Sequence, residues 1–273
     1  MAKCGNWQIS VCSWSMHADI QTVMADLERL GIDHVHLETG PACETGGEAY
    51  LTAVSEHTWT ISATMLNFLH EDYSTLERIR MTGGVAPDKH WESNLQRALR
   101  AIDVTRQLGV RYLTFHAGFI DHGSKDYISK FYDRITCLAD AAGENGVGLL
   151  LETGQETAAD LLRFLEEMNH PVIGVNFDPA NMILYDKGDP VEAMRLLGPW
   201  VKHVHIKDAN RSASPGEWGT EVPWGDGQVN TEGFFQSLTE MGYEGALAIE
   251  REVGDDRLGE VKLAIDRLQA YKP

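Results

Sequence analysis

The chain has 273 residues, of which 43% are hydrophobic, and it carries a formal net charge of −18 at pH 7. That length and apolar content suffice for one sizeable core, and the acidic balance argues against a nucleic-acid partner, which needs a clustered basic face. The four cysteines form no CxxC pair, which argues against a zinc knuckle or a redox motif. Because we find no 18-residue apolar stretch and no signal-peptide pattern, we expect a cytoplasmic protein without a membrane partner.

Strand-like apolar runs alternate with amphipathic helical patterns along the chain. The predicted strands are 9–14, 34–39, 60–68, 110–116, 147–152, 171–178, 200–207 and 244–250. Helical patterns lie at 20–31, 93–109, 127–146, 158–168, 190–198, 234–242 and 257–271. No linker rich in proline, glycine or serine interrupts the series. It therefore predicts an α/β fold, one closed (β/α)8 TIM barrel that spans residues 1–273 as a single domain.

Two long insertions interrupt this rhythm, at 69–90 and 209–229. Both are polar and contain glycines. Loops of this length in a compact domain usually have a function, and on the catalytic face of a barrel they would cover the pocket.

Four apolar runs in the second half each end in a side chain that can bind a metal ion. The runs end at Glu152, Asp178, His205 and Glu250. Runs without polar alternation are typical of parallel strands buried on both faces, so these ends should meet at one edge of the barrel. Three carboxylates and one imidazole predict a site for one divalent metal ion. Mn²⁺, Mg²⁺ and Co²⁺ suit these donors best, with Zn²⁺ as an alternative.

This set of side chains suits proton transfer next to a carbonyl group. The proton beside the carbonyl must be removed and then returned at another carbon or from the opposite face. A divalent metal ion that chelates the carbonyl and the adjacent hydroxyl would stabilise the enediolate. We expect Glu152 and Glu250 to be catalytic as base and acid, and Asp178 and His205 to be ligands only. The alternative is that these carboxylates cap helices or form ion pairs.

Several segments carry a resemblance to a known family. LGVRYLTFHAG, LLLETG, GVNFDPANM, HVHIKDA, VPWGDGQVN and GALAIERE resemble the sugar isomerase/epimerase superfamily of xylose isomerase-like TIM barrels, which also contains apurinic endonucleases. The resemblance implies the same fold and, as in ketose 3-epimerases, the same four metal ligands. This chain departs from those epimerases at Asn181, where many have a histidine, and at Ala158, where they have a glutamate. These departures imply a different sugar pocket.

Five further residues are candidate contacts for a small sugar substrate. They are Glu38 on the second strand, His70 after the third, His116 at the end of the fourth, and Asn181 and Arg211 at positions that contact substrate in the related epimerases. His116 could instead be a rim histidine that is hydrogen-bonded to a backbone carbonyl, and Arg211 could instead be a solvated loop residue. His203 shares a strand face with His205 and is predicted to be a buried, hydrogen-bonded histidine.

The sequence favours a metal-dependent isomerase or epimerase of a ketose or aldose, or of its phosphate, acting through an enediolate. A lyase or dehydratase of a keto-sugar or inosose needs the same metal and base and is the alternative. An endonuclease fits less well, because the chain is acidic and Asn181 stands where a metal-binding histidine would be needed. A non-catalytic sugar-binding barrel also fits less well, because all four predicted metal ligands are present. A homo-oligomer is expected from the resemblance.

Overall fold

The structure is a computed structural model that describes residues 2–272. Its strands are β1 (Lys3–Cys4), β2 (Trp7–Cys12), β3 (His34–Glu38), β4 (Thr60–Leu66), β5 (Tyr112–Phe115), β6 (Gly148–Glu152), β7 (Ile173–Phe177), β8 (Val201–Ile206), β9 (Asp208–Asn210), β10 (Thr220–Val222) and β11 (Leu247–Ile249). Strands β2 to β8 and β11 pair in parallel around a ring, which the β2–β3 pairing closes. The predicted (β/α)8 TIM barrel is confirmed.

Helices surround the barrel and also occupy its loops. They are α1 (Ile20–Leu30), α2 (Gly40–Cys43), α3 (Gly47–Ser55), α4 (Leu76–Thr82), α5 (Asp88–Gln107), α6 (Lys125–Glu144), α7 (Ala158–Met168), α8 (Pro179–Leu184), α9 (Pro190–Leu197), α10 (Thr231–Glu240) and α11 (Arg257–Ala270). Local signals set several boundaries: the Asp19 carboxylate caps α1, and Gly31, with a φ of 71°, ends it. Within residues 2–272, none of the helices combines the length and the apolar character needed to span a membrane.

Several predicted boundaries are wrong, including that of the strand predicted at 244–250, which runs only from Leu247 to Ile249. The strand predicted at 9–14 runs from Trp7 to Cys12, and Trp14 lies in a 3₁₀ turn that follows it. The strand predicted at 60–68 stops at Leu66. The helix predicted at 93–109 already begins at Asp88, directly after Pro87, because proline is compatible with a helix start. Apolar runs locate strands well, but they do not mark where a strand turns into a loop.

The interior of the barrel is polar, whereas the shell between strands and helices is apolar. On β2, Ile9 and Val11 belong to the apolar shell, while Ser10 is buried on the opposite face. This follows from the alternation of side chains along a strand. The buried polar side chains of the eight strands include Ser10, His36, Thr64, Thr114, Asn176, His203 and His205. All of them except Thr64, whose hydroxyl is hydrogen-bonded to Thr105 on α5, belong to a hydrogen-bonded column that also includes Ser62 and leads to the carboxyl ends of the strands.

Candidate metal centre

The four predicted ligands meet at the carboxyl ends of four successive barrel strands. Glu152 ends β6, Asp178 follows β7, His205 lies on β8 and Glu250 follows β11. All four are buried, and one ligand atom from each lies within 4.8 Å of the others. The His205 Nδ1 atom is 3.5 Å from Glu152 Oε1, 3.9 Å from Asp178 Oδ2 and 3.3 Å from Glu250 Oε2. These strand ends therefore converge on a single point.

The donor set fits a divalent cation, because two of its buried atoms have no hydrogen-bond partner. Asp178 Oδ1 accepts hydrogen bonds from the Ala180 and Asn181 amides at the start of α8, but Asp178 Oδ2 has no partner. His205 Nδ1 has none either. Buried polar atoms are nearly always satisfied, so both atoms are explained by a ligand between them. Three carboxylates and one imidazole would hold Mg²⁺, Mn²⁺ or a similar ion.

Electrostatics of the cluster also favour a bound cation. Burial lowers the pKa of His205, but Glu250 and Glu152 beside it raise that pKa well above its usual value. Burial raises the pKa of Glu250, yet the neighbouring Lys207 and His205 hold it well below its usual range. The Lys207 ammonium donates to Glu250 Oε2 at 2.8 Å and to Glu252 Oε2 at 2.5 Å. Lys207 thus offsets part of the negative charge that remains on the ligands.

The polar column fixes the ring of His205. His205 Nε2 is 3.0 Å from His36 Nδ1, and His36 Nε2 is 3.0 Å from the Thr114 hydroxyl. If the Thr114 proton is assigned to the Thr64 carbonyl at 3.1 Å, Thr114 accepts from His36. His36 Nδ1 is then the acceptor for the proton on His205 Nε2. This order places the exchangeable proton of His205 on Nδ1, which faces the three carboxylates and where a bound cation would replace that proton.

Both candidate catalytic glutamates are held by side-chain donors. Glu152 accepts from the Asn181 amide at 3.0 Å on Oε1 and from the Asn176 amide at 3.1 Å on Oε2. Glu250 Oε1 accepts from the Trp14 indole N–H at 2.7 Å. His203 is buried and hydrogen-bonded to Asn176 Oδ1 at 2.9 Å, as predicted.

A cavity of about 610 Å³ opens over the cluster. Of the five predicted substrate contacts, Glu38, His116 and Asn181 line it. Burial raises the pKa of Glu38, whose carboxylate has no hydrogen-bond partner among the described residues. The His116 Nε2 atom lies 3.5 Å from Glu152 Oε1. These three side chains are therefore placed to meet a substrate above the ligands.

The other two predicted contacts do not line this cavity. His70 is exposed and stacks on His90, with ring centroids 3.9 Å apart. The Arg211 guanidinium pairs with Asp186 and donates to the Gly188 carbonyl at 3.2 Å. Both residues lie in the inserted loops, whose course cannot be derived from strand spacing.

Several residues at the site were not predicted. Trp14, in the 3₁₀ turn after β2, lines the cavity and contacts Glu250. Lys207 shares a strand face with His205, and this spacing of two residues was a usable signal for its place beside the ligands. Glu221 and Trp218 also line the cavity. They come from the insertion at 209–229, where the sequence offers no periodic signal.

Comparisons with known proteins agree with this geometry. A xylose isomerase domain protein from Planctomyces limnophilus matches with a TM-score of 0.88 and 30% identity over 96% of each chain. A 3-dehydroshikimate dehydratase from Bacillus anthracis is 25% identical over 146 residues, which are 46% of this chain and 51% of its own. A ketose 3-epimerase from Arthrobacter globiformis is 26% identical over 166 residues, which are 55% of this chain and 53% of its own.

The matched regions span about half the length of the dehydratase and the epimerase. The model of one protein family, in contrast, matches residues 24–271, which include all four candidate ligands. The chain belongs to the xylose isomerase-like TIM barrel family.

Proposed function

We propose that the protein is a divalent-metal-dependent isomerase or epimerase that transfers a proton next to the carbonyl group of an uncharged sugar. The observation that carries this proposal is the convergence of Glu152, Asp178, His205 and Glu250 within 4.8 Å, beside the cavity that Glu250 lines. Asp178 and His205 each direct an unpartnered buried atom to that point. A bound divalent ion would act as a Lewis acid on a carbonyl oxygen.

Glu152 and Glu250 are the proposed base and acid. Each has one carboxylate oxygen near His205 Nδ1 and a second oxygen bound by a different donor, Asn176 for Glu152 and Trp14 for Glu250. These donors hold both carboxylates in one orientation, which positions the proton-transfer groups before the substrate arrives. Two fixed carboxylates can serve as the group that removes a proton and the group that returns it.

The charge of the cavity supports an uncharged substrate. Carboxylates of Glu38, Glu71, Glu221, Glu250 and Glu252 line it, whereas no lysine or arginine is among the lining residues of the described chain. The nearby Lys207 is already engaged by two of these carboxylates. A phosphate or carboxylate group on a substrate would meet like charge there, which costs binding free energy. This arrangement favours neutral ketoses over sugar phosphates.

Loss of water from a keto-sugar is the second candidate reaction, and His116 is the observation that favours it. Its ring lines the cavity 3.5 Å from Glu152, so it could protonate a departing hydroxyl after Glu152 removes the neighbouring proton. The likeness to the Bacillus anthracis dehydratase is consistent with such chemistry on this scaffold. The acid-lined cavity favours a neutral keto-polyol over a carboxylate for this reaction too.

Deuterium exchange tests the proposal. The protein with Mg²⁺ or Mn²⁺ is incubated in D₂O with neutral ketoses and inososes, and exchange of carbon-bound protons is followed by NMR. Glu152→Gln and Glu250→Gln should each lower the exchange rate by a factor of about 10² or more, because the base is lost while side-chain shape is kept. The exposed Glu244→Gln variant is the control and should exchange at the wild-type rate.

The products separate the two reactions. Exchange with recovery of an isomeric sugar identifies an isomerase or epimerase, and loss of water identifies a dehydratase. Wild-type exchange by either glutamine variant would contradict the assigned roles. Metal content, measured on every variant, separates loss of the base from loss of the ion.

A further inference from the structure

The inserted loops build a second apolar cluster above the barrel, separate from the main core. Ile79, Phe119 and Tyr185 form its buried part, and Leu184 and Trp218 pack against it. These residues come from α4, from the loop after β5, from the end of α8 and from the insertion at 209–229. The Tyr185 and Trp218 rings meet edge to face, with centroids 4.7 Å apart. The cluster therefore fixes two aromatic rings rigidly above the carboxyl ends of the strands.

Leu184, Tyr185 and Trp218 of this cluster also line the cavity, as does Glu250 of the four candidate ligands. The Trp218 indole N–H has no hydrogen-bond partner among the described residues, so its ring is held by packing alone. A buried tryptophan usually satisfies this group, and leaving it unpaired carries a cost. The unpaired N–H is therefore available to a bound ligand, and the ring adds apolar surface to the cavity wall.

Helix α8 sets the distance from the metal ligands to this aromatic wall. Asp178 caps its first turn, and Asn181 in that turn holds Glu152. Tyr185 directly follows the helix, four residues beyond Asn181, which corresponds to about 6 Å along a helix axis at about 1.5 Å per residue. The aromatic wall thus lies about one helical turn along α8 from Asn181, which holds the candidate ligand Glu152.

The cavity is larger than one sugar ring requires. Its volume of about 610 Å³ corresponds to about 20 water molecules at about 30 Å³ each. A hexose has about a dozen non-hydrogen atoms, and even at one water volume per atom it leaves about 40% of the space. The remaining space adjoins an apolar wall, which does not match the hydroxyl-rich surface of a second sugar.

We propose that Leu184, Tyr185 and Trp218 form a subsite for a planar aromatic group attached to the sugar, so that the substrates are aryl glycosides of keto-sugars. This rests on the proposed function for the sugar part alone. The sugar ring occupies the acid-lined floor, and the aromatic group stacks against the wall about one turn of α8 further out. A glycoside with an uncharged aryl group also suits this cavity, because no lysine or arginine of the described residues lines it to bind an anionic group.

Calorimetry on a matched pair of ligands tests this subsite without turnover. Phenyl β-D-glucopyranoside and methyl β-D-glucopyranoside differ only in the group attached to the sugar, and both are titrated into the full chain with Mg²⁺ present. We expect the phenyl glycoside to bind at least about tenfold more tightly, because apolar burial and ring stacking both add to its affinity. Trp218→Ala should reduce that preference to less than about twofold.

Trp91→Ala is the control. Trp91 lies on α5, its ring packs under the Arg134 guanidinium of α6, and it does not line the cavity. It should keep the wild-type preference. Equal affinities of the wild type for both glycosides, binding of neither, or an unchanged preference in Trp218→Ala overturns the subsite.

Deuterium exchange on neutral ketoses is scored separately. Exchange without a phenyl preference refutes only the subsite, and a Trp218-dependent preference without exchange on any keto-sugar refutes only the proposed function.

Discussion

The tautomer of His205 depends on residues that never touch the cavity. Its Nε2–H points to His36, and His36 in turn points to the Thr114 hydroxyl, at 3.0 Å for each step. A metal-binding imidazole needs such a partner on its second nitrogen, since the partner orients the ring and keeps the ligating nitrogen free. The interior column of the barrel therefore prepares one ligand of the metal centre.

Two substitutions in this chain of hydrogen bonds from His205 to Thr114 should weaken metal binding. His36→Phe removes the acceptor for His205, and we expect metal affinity to fall by about 10- to 100-fold. Thr114→Val leaves His36 in place but removes its acceptor, so a smaller loss of up to about tenfold is expected. The measurement is calorimetric titration of Mn²⁺ into each variant, with circular dichroism to verify folding.

Thr105→Val is a matched control for the threonine. Thr105 is also fully buried and its hydroxyl donates to the Ala101 carbonyl, but it does not reach a histidine. It should bind Mn²⁺ as the wild type does. Unchanged affinity in both His36→Phe and Thr114→Val would show that the column is structural only.

We expect the buried Glu156 side chain to make the stability of the fold depend on pH, independently of the metal centre. Its side chain is buried, and burial raises its pKa to about 8, although Lys187 pulls in the opposite direction. In the unfolded chain the same group titrates near 4.5. The folded state therefore binds the proton more strongly, and its stability falls as pH rises through the window between these two values.

Glu156→Gln should remove this loss. The variant and the wild type should be similar in stability at the acid end, and the variant should become the more stable of the two as pH rises to about 8. The full shift, at about 1.4 kcal/mol per pKa unit, limits the gain to about 5 kcal/mol. Chemical denaturation at pH 5.5, 7 and 8.5 measures it. The exposed Glu166→Gln is the control, and a pH-independent difference for Glu156→Gln would contradict the prediction.

At the level of elements, the sequence predicts the positions of the strands better than the structure of the loops between them. The runs that end at Glu152, Asp178, His205 and Glu250 occur as predicted because strands buried on both faces need unbroken apolar runs. Where such a run ends, the side chain leaves the sheet on the same edge as its neighbours. The convergence of the four candidate ligands could therefore be predicted without knowing a single contact.

Hydrophobic periodicity gives no prediction for segments in which apolar residues do not recur at helix or strand spacing. Helix α4 and the β9–β10 ribbon both lie inside segments that looked like irregular insertions, and α8 is too short to show a helical period. Trp218, Tyr73 and Glu221 reach the cavity through these loops. Their positions depend on tertiary packing, such as the aromatic cluster around Tyr185, which local spacing does not encode.

At the scale of the whole molecule, the barrel gathers charges that are far apart in sequence. In an unfolded chain the carboxylates of Glu152, Asp178 and Glu250 are independent and hydrated, whereas folding brings them together around His205 in a buried site. Burial of like charges disfavours the folded state unless a cation offsets them. Stability of the entire fold should therefore depend on a divalent ion.

Addition of Mn²⁺ or Mg²⁺ at 100 times its Kd should stabilise the folded state by about 2.7 kcal/mol, because the assembled site exists only there. For a chain of this size that corresponds to a rise in Tm of about 5–10 °C. Treatment with EDTA should reverse it. Asp178→Asn keeps a cap on α8 but weakens the ligand, so its Tm should respond little to the ion. A rise in Tm of equal size in this variant would mean that the ion binds elsewhere on the acidic surface, because only the assembled centre requires Asp178.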